Sequence, residues 1–263
     1  MKRLRNLAPI AALAALGLTA SASASASDFD QFKSCPTANP AATKCIHVVA
    51  SGGEVVLGRN KLPIAGQTVL QGGVSAPDSS GVATLIAPTH GSVFAADPVT
   101  VIDLGPLSVR ARVELAGSAE AVKLDQLALA FEEGAALTMP IKVHLESPLL
   151  GRNCYVGSNQ NPIVWNLTDG TTAPPPPNQP IKGFGGEGEL LDEDVIFQIN
   201  RSIFVDNAWA VPGASGCGRI FQRLADGLVN SVLGLPSPAG RNTAVLGPVT
   251  TDLVTAAAVA AHH

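Results

Sequence analysis

The chain reads as mainly β: a single β-sandwich or barrel-like domain of about ten short strands, with one C-terminal helix at about residues 218–233. Three observations carry that expectation. Short stretches alternate apolar and polar residues, the mark of strands with one buried face. Gly, Pro, Asp and Asn punctuate these stretches at short intervals, as in Gly52-Gly53, Pro77-Asp78 and Asp169-Gly170. A single segment repeats apolar residues every four positions: Ile220, Leu224, Leu228 and Val232, with Phe221 and Ala225 beside them.

In chain order, residues 45–50, 54–58, 67–70, 82–87 and 99–104 are the first strand candidates. The clearest strand follows, with Leu107, Val109, Ala111, Val113 and Leu115 interleaving with Ser108, Arg110, Arg112 and Glu114. Val122 and Leu124 are out of phase with Leu127, Leu129 and Phe131, which predicts a bulge or strand break near Asp125-Gln126. Leu137, Met139, Ile141, Val143 and Leu145 form another alternating run, in which Pro140 suggests an edge or a bulge. Residues 162–168, 188–199 and 202–211 complete the set, and Gly234 and Pro236 end the helix. Many short strands with such turns favour a sandwich or barrel.

The first residues carry Lys2, Arg3 and Arg5, then an apolar run from Leu7 to Ala20, then small alternating residues. That pattern is a secretory leader, with Ala24-Ser25-Ala26 supplying the small side chains for cleavage after residue 26. The expected domains are therefore a signal peptide at 1–26 and one secreted mainly-β domain at 27–263. The apolar run is shorter than the roughly 20 residues that span a bilayer, so no transmembrane anchor is expected in the mature chain. Residues 244–261 are apolar but interrupted by Pro248 and Asp252, and are read as no anchor either. Losing the three basic leader residues moves the formal net charge from −4 to −7. With no basic block, nucleic-acid binding is not expected.

Export makes disulfides the default state of the four cysteines, Cys35, Cys45, Cys154 and Cys217. Three pairings are open; Cys35 with Cys45 and Cys154 with Cys217 is favoured, because the first two flank a short loop. The second bond would enclose the run from Ala173 to Asn178, making it a polyproline loop on one domain rather than an interdomain linker.

No motif assembles an active site. Gly183-Phe184-Gly185-Gly186-Glu187-Gly188 matches the dinucleotide fingerprint by letter, but prolines precede it and a strand-like stretch follows. Glu187, Glu189, Asp192, Glu193 and Asp194 offer oxygen ligands for calcium without EF-hand spacing. His47 follows Cys45 without the spacing of a zinc site. His90 could serve as a base but no Gly-x-Ser-x-Gly elbow accompanies it, and His144 sits on the polar side of its strand, where exposure is expected. Tyr155, Trp165 and Trp209 are expected in the core around Cys154.

Three segments, Asn153 to Ser158 with Asn161-Pro162-Ile163, Leu167 to Pro175, and Gly234 to Ala244, together resemble a group of secreted proteins of actinobacteria with no assigned function. Val205-Asp206-Asn207 and Pro212 to Gly218 extend the match over roughly the C-terminal half. The resemblance implies an extracellular or cell-envelope address and transfers no catalytic residue. The leading expectation is a non-catalytic protein working through a binding or structural surface, with a cell-envelope or protein partner and no cofactor, catalytic residue or metal ligand assigned. A secreted hydrolase with a dispersed site and an envelope pore-former are the alternatives.

Overall fold

The computed structural model describes residues 29–262 apart from 59, 65, 104, 192–194 and 219–221. The predicted leader and its cleavage site lie outside the described residues. In chain order the strands are β1 (Lys44–Ala50), β2 (Gly53–Leu57), β3 (Asn60–Pro63), β4 (Thr68–Val74), β5 (Val82–Ile86), β6 (Phe94–Ala96), β7 (Val99–Ile102) and β8 (Val109–Leu115). There follow β9 (Lys123–Asp125), β10 (Leu137–Glu146), β11 (Tyr155–Val156), β12 (Ile163–Leu167), β13 (Glu187–Leu191), β14 (Ile196–Asp206), β15 (Ala214–Ser215) and β16 (Thr243–Thr255). Among the described residues there are three α-helices: α1 (Gln126–Phe131), α2 (Gln222–Leu233) and α3 (Ala256–His262).

The fold is mainly β and sandwich- or barrel-like, as the alternation predicts, but it has sixteen strands among the described residues rather than about ten. Pairing runs unbroken from β13 through β14, β16, β1, β4, β5, β9, β10 and β11 to β15. The strand β5 pairs with both β4 and β9 and so joins one layer to the other. Buried Ile46, Leu70 and Leu246 of the first layer share one core with Met139, Ile141 and Trp165 of the second. A smaller cluster of Phe29, Phe32, Ile196, Val254 and Val259 packs around the Cys35–Cys45 bond.

The longest strand, β16, lies at 243–255, largely within the apolar stretch 244–261 that the sequence reading does not mark as a strand. Its Gly247-Pro248 step changes phase and hides the alternation. Before it Leu246 faces the core, and after it Val249, Thr251 and Leu253 do. The stretch predicted as two strands at 188–199 and 202–211 is instead β13 and one long β14, kinked at Arg201, whose φ is 60°. Register shifts around Ser202 mark the bulge.

Two turn residues act differently from expectation. Pro140 is internal to β10, not at an edge, yet its missing N–H costs no ladder bond to β8 or β9. On that side residues 137–138 pair with β9 and 141–146 with β8, and Pro140 falls in the gap. Asp125 does break the β9 strand, but a helix follows. Its Oδ1 accepts from the N–H groups of Leu127 and Ala128 and caps α1.

The helix α2 begins at Gln222 among the described residues, and the predicted Ile220 and Phe221 lie outside them. Its Leu224 and Leu228 are 74% and 66% exposed, while Val229 and Leu233 are buried, so the helix presents the neighbouring stripe to the core. Polar clamps set this rotation: Asp226 accepts from Cys217 N (2.7 Å), and Asn230 bonds both N and O of Ala214 (2.6 and 3.0 Å). Because Asp226 and Asn230 are four residues apart on one face, that face must turn inward.

Candidate functional site: an apolar cavity between the layers

An apolar concavity lies between the two layers and has a volume of about 300 Å³. Alternation builds one wall, since Lys44, Ile46, Val48 and Ala50 of β1 point inward while Cys45, His47 and Val49 point out. The β14 bulge keeps both ends of that strand on the wall, with Phe197 and Ile199 before it and Phe204 after it. The second layer contributes Leu124, Leu137, Met139 and Leu167, and α1 adds Gln126 and Leu129.

Burial grades from base to mouth. Ile46, Leu70, Phe94, Met139, Leu167 and Leu246 are buried, whereas Lys44, Asp125, Gln126, Leu129 and Ile199 are half-buried and Phe197 is exposed. The opening therefore lies between β14 and α1. Leu190, opposite Phe197 in the β13–β14 ladder, and Leu127 and Phe131 of α1 leave further apolar surface exposed. Thr68, Phe94 and Leu246 also line a second, smaller space of about 60 Å³ that reaches Trp165 and Trp209. They form the partition between the two.

The polar candidates are dispersed. His47 stands opposite Asp252 in the β1–β16 ladder, and the row continues through Gln71 on one side and Gln198 and Glu189 on the other. Asp252 accepts from Gln198 Nε2 (2.6 Å), while His47 Nδ1 is buried without a hydrogen-bond partner. Burial pushes the His47 pKa down and that of Asp252 up. His90 is exposed in its loop. His144 is more covered than its strand position suggests: it stacks on Tyr155 at 4.5 Å, and its ring nitrogen lies 3.1 Å from Arg152 O. Tyr155 therefore packs on the outer face, while Trp165 and Trp209 are buried edge-to-face as expected, 6.0 Å apart.

Glu187 pairs with Arg201, and Glu189 accepts from Asn200 Nδ2 (2.7 Å), while residues 192–194 of the acidic patch lie outside the described residues. Among the described residues no group of three or more His, Cys, Asp or Glu side chains converges as metal ligands. The glycine run serves packing. A side chain at Gly183 would collide with the backbone of Ile203 and Asp169, and one at Gly185 would stand 3.2 Å from Asp169 Oδ2 and 3.7 Å from Glu132 Oε1.

Asp169 itself is a polar group that sequence reasoning passed over. It is fully buried, and neither carboxylate oxygen finds a well-aligned hydrogen-bond partner. Burial pushes its pKa up, and the nearby Glu132 carboxylate adds to the effect. Lys182 sits over the pair, 3.0 Å from Glu132 Oε2. Because the folded-state pKa is raised, the stability tied to Asp169 is present below its unfolded pKa and is lost as pH rises through the folded value. Asp169→Asn should therefore stabilise the protein at neutral pH by about 1–3 kcal/mol. The gap should close on acidification, and denaturant midpoints of both proteins at a series of pH values check this. A gap that stayed constant with pH would show that Asp169 is not charged at neutral pH.

Both expected disulfides are present, Cys35–Cys45 and Cys154–Cys217, and no helix among the described residues is long and apolar enough to cross a membrane. No protein-family model matches the chain, and neither a curated protein nor a solved structure is found similar to it.

Proposed function

We propose that the protein is a non-catalytic extracellular or cell-envelope protein that holds an apolar ligand between its two layers. The observation that carries this reading is the 300 Å³ cavity, whose buried base is apolar apart from the Thr251 hydroxyl and whose half-exposed mouth holds the charged and amide lining residues, Lys44, Asp125 and Gln126. That combination is the usual make-up of a small-molecule site, and the volume stands at the small end of the range. The secretory leader and the resemblance to secreted actinobacterial proteins support the address. A hydrolase reading gains less, because the acid and histidine that come together, Asp252 and His47, lie on the outward face of the β1–β16 ladder, away from the cavity.

The neutral fluorescent probe N-phenyl-1-naphthylamine should bind the folded protein at one site. Ile199→Trp, which places bulk in the half-exposed mouth, should weaken that binding at least tenfold while leaving the denaturant midpoint nearly unchanged. Failure of the wild-type protein to bind the probe, or equal binding by the plugged variant, would overturn the proposal.

A further inference from the structure

We infer that the ligand is an anionic amphiphile, a single unbranched chain in the cavity with its negative head group at the Lys44 ammonium. This rests on the cavity reading and adds the chemistry of the head group. Lys44 opens β1, and the alternation that points Ile46, Val48 and Ala50 inward carries Lys44 onto the same wall, at its half-exposed end. It is the one cationic residue among those lining the cavity. Its ammonium makes no ion pair or hydrogen bond among the described residues, whereas Lys61, Lys142 and Lys182 each pair with a glutamate.

The single acid on the lining is Asp125, whose Oδ1 is committed to the first N–H groups of α1. Gln126 adds an amide on the rim that no hydrogen bond occupies among the described residues. Apart from the Thr68 and Thr251 hydroxyls a chain end entering this space meets only apolar side chains, so a charged head finds a countercharge only at the mouth. There an anion gains an unpartnered ammonium in partly desolvated surroundings, where a charge-assisted hydrogen bond is stronger than a neutral one. A neutral head gains less, and a cationic head is repelled. The volume suits one chain rather than two.

Displacement of N-phenyl-1-naphthylamine from the full chain, below micellar concentrations, separates the possibilities. Dodecanoate and dodecyl phosphate should compete about tenfold more tightly than dodecanol, and dodecyltrimethylammonium more weakly still. Lys44→Met, which keeps the stem and removes the charge, should erase the anion preference, read as the ratio of dodecanoate to dodecanol competition within the same variant. A preference for dodecanoate over dodecyl phosphate points to free fatty carboxylates, and the reverse to phosphate-headed lipids. Equal competition by dodecanoate and dodecanol, or a preference that survives in Lys44→Met, would overturn the head-group assignment while the cavity stands. No probe binding at all would remove the cavity reading itself.

Discussion

Replacing Cys154 and Cys217 together by alanine is expected to lower unfolding stability by about 4 kcal/mol, against about 3 kcal/mol for the Cys35/Cys45 pair, by the chain-entropy relation. The bonds close loops with sequence separations of 63 and 10. Position widens the difference. Both Cys154 and Cys217 are fully buried in the main core, beside the two-residue strands β11 and β15, which are too short to hold each other in place unaided. Asp226 of α2 also accepts from Cys217 N, so loosening this bond frees the helix clamp. The Cys35–Cys45 bond instead belongs to the smaller cluster formed with α3, and its loss should fray the N-terminal segment first. Denaturant midpoints of the two double variants, with hydrogen exchange on α2, measure both claims. Equal losses, or protection on α2 that survives without the longer bond, would contradict them.

Asn242→Ala should cost about 3–4 kcal/mol, because it strands several buried groups at once. The Asn242 side chain is fully buried. Its Oδ1 accepts from Gly58 N (3.1 Å), and its Nδ2 donates to Trp209 O (2.9 Å) and Pro238 O (3.1 Å). Its own carbonyl receives Asn178 Nδ2 (2.9 Å), which also donates to Asn207 O, while Asn207 Nδ2 donates to Gln179 O (2.8 Å). Three asparagines thus tie the proline-rich loop to the segments after β14 and before β16. Asn242→Asp should be worse than alanine, since a carboxylate would face the Trp209 and Pro238 carbonyls. Thermal unfolding of the three proteins decides, and a loss below 1 kcal/mol for alanine would mean that water replaces the side chain.

The segments around Leu167, Val205 and Gly234 to Ala244 meet in this region. Thr168 bridges Val205, Val211 bridges Ser237, and Asp206 accepts from Asn166 N. The sequence marks 162–168 and 202–211 as strands but not as neighbours of these loops, because no period marks a contact between residues 26 to 184 positions apart.

What the sequence determined by itself is what short-range physics writes into it. Period-two alternation placed β8 and β10 and identified their buried faces, Val109 and Ala111 on one and Met139, Ile141, Val143 and Leu145 on the other. Loop closure favoured the cysteine pairing that the fold contains. Asp125 was legible as a break, though not as a helix cap, because a six-residue helix is too short to show a period. Only the tertiary structure decided the rest. The strand β16 is central because β1, β2 and β14 all pair with it, which its phase change at Gly247-Pro248 concealed. The apolar stripe of α2 stayed outside because Asp226 and Asn230 bind the backbone of β15 and the adjoining Cys217. The cavity is a space left where two layers fail to close. Its wall draws on β1, β4, β10, β12, β14, β16 and α1, so no local pattern can announce it, and the same register that points Ile46 inward carries Lys44 to its mouth.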